Sequence, residues 1–371
     1  MMKRRPFLSA VGGFGVGAAV PGAIRAQPAP YKLGVTIALT GPLAPFFAEA
    51  KYALVVAAED VNRSGGIKGR SLQLLFEDSK GTPEAGIAAM RKLVQVDGVP
   101  ALMSTLTNVI NAQIPLSDQL KVPVMSTIET PGILGKSWGV FAHSATIGEV
   151  APHISAYWKR TGMQKIYGFM PDNGYGHFLD PILRQIATEA GSQYDSALLD
   201  LGQTDYRGLM ARARDDGPQG IIISVQGSTI EGSVIRQLRE MNITAPVFIV
   251  SNSYADANWR ASAGPYAEGV IFTGLNVDMR TSPGFVKAFR GKTGGSSPTQ
   301  QAAQMYDVIK MLAFAIERVG TDSVAIRDQI ATIKNVPSVF GGTITMGADH
   351  YTIPSGIGLW QVQRGALAKV G

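Results

Sequence analysis

Short, almost wholly apolar runs alternate along the chain with longer stretches of helical period. Lys32–Leu39 (KLGVTIAL) is patterned as a buried strand, and Ala48–Asn62 as a helix stopped by Ser64-Gly65-Gly66. Ser71–Glu77 is a second strand. Pro83 opens a helix reaching about Gln95, because proline in a first turn lacks only an N–H that would have no partner there. Ala101–Ser104 is a third strand, a helix follows from about Asn108, and Pro123–Ser126 is a fourth strand.

The alternation restarts after Thr146. Lys165–Met170, Gly220–Val225 and Pro246–Val250 are apolar strands, separated by helical stretches at Phe178–Ala190, Tyr206–Arg214 and Thr229–Met241. Strand–helix alternation predicts an α/β fold with doubly wound parallel sheets, and two such runs predict two lobes. The long helical stretch Gln300–Val319 has no strand directly before it and is expected to return to the first lobe. No low-complexity linker separates the runs, so several strand-like crossings are expected to form a hinge.

Composition changes this picture at one end only. The first residues, Met1-Met2-Lys3-Arg4-Arg5-Pro6-Phe7-Leu8, lead into an apolar Gly/Ala/Val-rich run to Val20 and small residues near Ala23–Ala26. That is the layout of a secretory signal over 1–26, with a twin-arginine-like start. The run is too short and glycine-rich for a membrane anchor. Four of the 34 basic side chains lie there with no acid, leaving 30 against 28 acidic ones, so most of the net charge of +6 belongs to the leader and the remainder is close to neutral. The remainder lacks the basic bias of a nucleic-acid binder. The chain has no cysteine, which excludes disulfides, cysteine zinc sites and thiol nucleophiles.

Thr40-Gly41-Pro42-Leu43-Ala44 follows the first strand, and Asn62-Arg63-Ser64-Gly65-Gly66-Ile67-Lys68-Gly69-Arg70 precedes a strand ending in Glu77-Asp78. Tyr175-Gly176 comes after Asp172-Asn173, and Thr204-Asp205-Tyr206 precedes a helix. With these segments the chain resembles the periplasmic leucine/isoleucine/valine-binding proteins, the type I solute-binding proteins of ABC transporters. The resemblance covers essentially the whole chain after the leader. It implies a periplasmic protein, expected to be monomeric, that closes two lobes on a small carboxylate-bearing ligand and presents it to membrane permease subunits. The lobes are expected at 27–144 plus 275–349 and at 145–274 plus 350–371. No cofactor, metal or nucleic-acid partner is expected, nor catalysis. A periplasmic ligand sensor of the same fold is the alternative.

Ligands in such sheets sit at the carboxyl ends of strands, near helix N-termini. Two loops of the first lobe qualify: Ser104-Thr105-Leu106-Thr107-Asn108 and Ser126-Thr127-Ile128-Glu129-Thr130-Pro131. The resemblance points to Thr107 or Asn108, Glu129 and Thr130 as carboxylate and ammonium contacts. It also points to Phe46 and Tyr175 as aromatic walls; Gln226, ending a strand, is a further candidate. In amino-acid binders of this family an acid usually stands where this chain has Asn252. Either Glu129, Asp256 or another acid supplies the missing charge, or the ligand is an aromatic carboxylate, keto acid or amide without an ammonium.

Enzyme motifs are missing. Thr40-Gly41-Pro42 is not a dinucleotide turn, and no P-loop or Gly-x-Ser-x-Gly occurs. His143, His153, His177 and His350 are scattered, with no metal-binding pair on a helix.

Overall fold

The computed structural model describes residues 28–128, 134–225, 227–250, 253–277, 280–353 and 356–370. The leader, Glu129, Thr130, Gln226 and Asn252 lie outside them. The first strand, β1 (Tyr31–Ile37), is buried except at Lys32, as its apolar run requires of a strand covered on both faces. It is followed by α1 (Ala44–Ala48), α2 (Ala50–Arg63), β2 (Leu72–Asp78), α3 (Pro83–Arg91), β3 (Leu102–Ser104), α4 (Thr107–Leu120), β4 (Val124–Ser126) and β5 (Val140–Ala142). These strands form one parallel sheet in the order β2-β1-β3-β4-β5.

The chain then builds α5 (Ile147–Thr161), β6 (Lys165–Pro171), α6 (Gly174–Ala190), β7 (Gln193–Leu199), α7 (Arg207–Asp216), β8 (Gly220–Ile223), α8 (Ser228–Glu240), β9 (Val247–Ile249), α9 (Ala257–Ala263) and β10 (Ile271–Gly274). After α10 (Pro283–Thr293), α11 (Gln300–Val319) and α12 (Ser323–Ala331) come five short strands. They are β11 (Val336–Pro337), β12 (Thr343–Met346), β13 (Thr352–Ile353), β14 (Gly358–Gln363) and β15 (Ala366–Lys369). The second sheet runs β15-β14-β10-β9-β8-β6-β7, parallel from β10 to β7 and antiparallel where β14 pairs with β10 and β15. Strands β11, β12 and β13 form a small antiparallel sheet, and Tyr351 bridges Ala142 beside the first sheet.

The chain thus passes between the two large sheets three times: after β5, after β10 and before β14. Helix α11 returns to the first sheet, where Met305, Val308, Ile309 and Leu312 share a core with Leu54, Val56 and Ala57 of α2. Among the strands absent from the sequence pattern are β7, β14 and β15. The edge strand β7 (QYDSALL) escapes it because only one face is well covered and Gln193 and Asp195 are exposed. Strands β14 and β15 escape it because Gln361, Gln363 and Arg364 interrupt their apolar runs.

The glycine-rich motif is structural. Gly66 has φ of +71°, and a Cβ there would lie 2.2 Å from the Arg70 carbonyl oxygen. The Asn62 side-chain amide donates to the Leu72 carbonyl at 3.0 Å and its oxygen accepts from the Leu72 N–H at 2.6 Å, fastening the end of α2 to the start of β2. At the other end of β2, the Asp78 carboxylate accepts from the Leu39 N–H at 2.9 Å, the Lys80 N–H at 2.8 Å and the Thr40 hydroxyl at 2.5 Å. Its partial burial works to raise the pKa, but these hydrogen bonds outweigh it and hold the carboxyl below its ordinary value. The Thr40-Gly41-Pro42 turn is thereby fixed, and α1 with Phe46 follows from it.

Candidate functional site

A cavity of about 110 Å³ opens between the two sheets at the carboxyl ends of their strands. From the side of the first sheet it is lined by Phe46 of α1, Leu106 and Thr107 at the start of α4, and Thr127 and Ile128 after β4. Thr299, Gln300, Gln301 and Gln304 at the start of α11 complete this side. From the second sheet come Tyr175 of α6, Ser224 and Val225 after β8, Ser228 of α8, and Val250 and Ser253 after β9. Among the described residues, the lining carries hydroxyls, amides and apolar groups but no charged side chain.

The first-sheet side presents hydrogen-bond donors. Leu106 turns the chain at φ +70° into α4 and offers no side-chain cap, so the first N–H groups of the helix remain available beside Thr107. Next to it, the Thr127 hydroxyl is buried (6% exposed) and has no hydrogen-bond partner within the described chain. The Thr105 hydroxyl is in the same condition. Such groups cost stability unless something outside the chain satisfies them.

The expected walls, Phe46 and Tyr175, both line the cavity, as does Thr107. Phe46 packs edge-on against Phe47 with ring centroids 5.0 Å apart. The Tyr175 hydroxyl lies 2.9 Å from the Ser224 hydroxyl. Asn108, the alternative to Thr107, does not join them. It is exposed one position further along α4, and its side-chain amide donates to the Gly81 carbonyl at 2.8 Å. Asp256, weighed as a counter-charge, is occupied as the N-cap of α9, accepting from the Asn258 N–H at 2.7 Å.

Sequence reasoning missed the α11 residues. Gln300 and Gln304 lie four apart and so share a helix face, which was the available signal, but nothing local said that this face meets a cleft. Both also hold crossings: the Gln300 side-chain oxygen accepts from the Leu275 N–H at 2.8 Å, and the Gln304 amide donates to the Ser144 hydroxyl at 3.2 Å.

A carboxyl also lies one hydrogen bond behind the lining. Glu231, in the first turn of α8, is buried and accepts from the Ser253 hydroxyl at 3.2 Å and from the Trp259 ring N–H at 3.1 Å. Burial pushes its pKa up to about 8, against the opposing pull of those two donors and with some help from the charge of Asp256. It is mostly neutral at pH 7.

Comparison with known proteins agrees with this architecture. The Leu/Ile/Val-binding protein homolog 3 of Brucella melitensis is 26% identical over 337 residues, which is 87% of this chain and 89% of that protein. The Leu/Ile/Val-binding protein BraC3 of Rhizobium johnstonii is 23% identical, covering 90% and 92%. Among solved structures, the branched-chain amino acid transporter substrate binding protein LivJ of Streptococcus pneumoniae, in complex with isoleucine, superposes with a TM-score of 0.79. It is 20% identical, with 91% of this chain and 97% of that one covered. An ABC transporter solute binding protein of R. palustris in complex with benzoate superposes with a TM-score of 0.80 at 17% identity, covering 92% and 96%. The sequence model described as periplasmic binding protein matches residues 30–366, and the chain belongs to that family.

Proposed function

We propose that the chain is the periplasmic substrate-binding component of an ABC transporter of the branched-chain amino acid type. It captures a small carboxylate-bearing ligand, an amino acid or an aromatic or keto acid, between its two lobes. The observation that carries this reading is the Thr127 hydroxyl, buried without a partner among the described residues beside the uncapped start of α4. A carboxylate there would accept from Thr127, Thr107 and the first N–H groups of the helix without needing a cation. Phe46 and Tyr175 would enclose its apolar body, with Glu129, Thr130, Gln226 and Asn252 as further contacts. Closure would be driven by contacts made only when both lobes reach the ligand. In this reading the leader over 1–26 is removed on export, the lobes divide near residues 144, 275 and 350, and the closed monomer is what the permease subunits recognise. Among the described residues, no helix is long and apolar enough to cross a membrane.

The test is a thermal-shift screen of the mature protein against aliphatic and aromatic amino acids on one side and aromatic carboxylates, keto acids and small amides on the other. A shift with leucine-like amino acids assigns the ammonium to an acid such as Glu129. A shift only with ligands lacking an ammonium assigns the change to Asn252. Unchanged affinity in a Thr107→Ala, Thr130→Ala double variant would remove the carboxylate site from the first lobe.

A further inference from the structure

We propose that the second lobe carries a hydrogen-bond-donor pole at the start of α8, and that the ligand therefore has a second acceptor oxygen at the end remote from its carboxylate. This rests on the carboxylate reading above and narrows the ligand class within it.

Two features of the second lobe meet at this point. Helix α8 is entered through Gly227 at φ +135°, a backbone that favours glycine, and Gly227 can offer no side-chain cap. The first residue of the helix, Ser228, lines the cavity, is 5% exposed, and its hydroxyl has no partner within the described chain. The arrangement repeats that of α4, which is entered through Leu106 at φ +70°, again without a side-chain cap, beside the unpartnered Thr127 hydroxyl. The α6 start differs: Asn173 accepts there from the Tyr175 and Gly176 N–H groups, at 3.0 and 3.2 Å. Of the helix starts on the cavity, those of α4 and α8 therefore present free donors from opposite sheets.

An aliphatic or methyl end laid against α8 would leave Ser228 and the first-turn N–H groups desolvated and unpaired. A carboxylate or carboxamide carbonyl would satisfy both. The nearby Glu231 carboxyl does not oppose an anion, since it is mostly protonated at neutral pH. The ligand is thus two-ended, with a carboxylate held by the first lobe and an oxygen acceptor held by the second. Such a ligand is able to bridge the lobes with polar contacts and so couple binding to closure.

The experiment is isothermal titration of the mature protein with matched probes that differ only at the remote end. The sets are pentanoate, glutarate and glutaramate, and para-methylbenzoate, terephthalate and para-carbamoylbenzoate, with leucine as a separate arm. In at least one set an oxygen-ended probe is expected to bind at least about tenfold more tightly than its methyl-ended partner. Ser228→Ala should cut that preference at least about fivefold, with the melting temperature of the variant recorded to confirm folding. A better dicarboxylate identifies an anionic remote group, and a better carboxamide a neutral one. Equal or tighter binding of the methyl-ended probes overturns the second pole while leaving the carboxylate reading standing. A preference unchanged in Ser228→Ala overturns the role of Ser228. Binding of leucine but of no probe overturns the two-ended ligand while leaving the carboxylate reading standing, and binding of no compound at all overturns both.

Discussion

The His143 ring Nε2 lies 3.2 Å from the Asp307 carboxylate, both side chains being almost wholly buried where the chain leaves β5 for the second lobe. The same carboxylate accepts from the Ser338 hydroxyl at 2.6 Å and the Val339 N–H at 3.1 Å, while the His143 Nδ1 pairs with the Thr352 hydroxyl at 2.9 Å. One acid on α11 therefore ties together the first crossing and the segments around the small sheet. Asp307→Ala strands three partners at once and is expected to cost about 3 kcal/mol or more of folding stability. Urea unfolding measures this, and a loss under about 1 kcal/mol would show that the network is not structural.

Thr127→Val should separate stability from binding. The replaced hydroxyl has no partner among the described residues, so the unliganded variant should melt at the same temperature or slightly higher. Affinity for whichever ligand the thermal-shift screen identifies should fall about tenfold, the worth of one hydrogen bond to a charged group. A destabilised variant that keeps its affinity would reverse the assignment.

Gln304→Leu should alter closure more than folding. The amide it removes spans the cavity lining and Ser144 at the first crossing, so ligand contact and hinge geometry share one side chain. Small-angle scattering with and without ligand is expected to give a smaller compaction for the variant than for the parent. Identical compaction would confine Gln304 to the cavity wall.

Glu231 gives a pH dependence of defined sign. Its folded-state pKa of about 8 lies above the ordinary 4.5, so the folded chain retains a proton that the unfolded chain has released between those values. This group's contribution to stability is therefore full below about pH 4.5 and is lost as pH rises, levelling off above about 8. Glu231→Gln, which cannot ionise, should remove that part of the decline, with the gap in melting temperature between the two proteins widening by several degrees from pH 5 to 8.5. Parallel curves would mean that the carboxyl is ionised in the fold.

Gly66→Ala tests the turn between α2 and β2. A Cβ 2.2 Å from the Arg70 carbonyl on a backbone at φ +71° forces the turn to move, at a cost of about 3 kcal/mol. Ligand affinity at temperatures where the variant stays folded should be retained, because the turn does not reach the cavity.

What could be read from the sequence was what is written locally. The buried runs of β1 and β8 are apolar at nearly every position, because parallel strands are covered on both faces. Phe46, Thr107 and Tyr175 were named from the family resemblance, and all three line the cavity; Thr107 and Tyr175 also stand three and four residues past the ends of β3 and β6, where such sheets present ligands. The edge strand β7 and the β14–β15 hairpin were not, since half-covered strands carry polar residues on one face. Ser228 and the glutamines of α11 reach the cavity through long-range packing, which no local pattern encodes. Asn108 was misplaced by one position, and on a helix one position is about 100° of rotation.

The return of α11 sets an order of assembly. Leu54, Val56 and Ala57 of α2 are covered by a helix made only after every strand from β6 to β10. A nascent chain must therefore carry an unfinished amino-terminal half while its second half is synthesised, with apolar surface open to chaperones or to aggregation. The second sheet from β6 to β10 is local in sequence and able to collapse first. Truncation before residue 300 would remove no strand of the first sheet and still deprive its core of a wall.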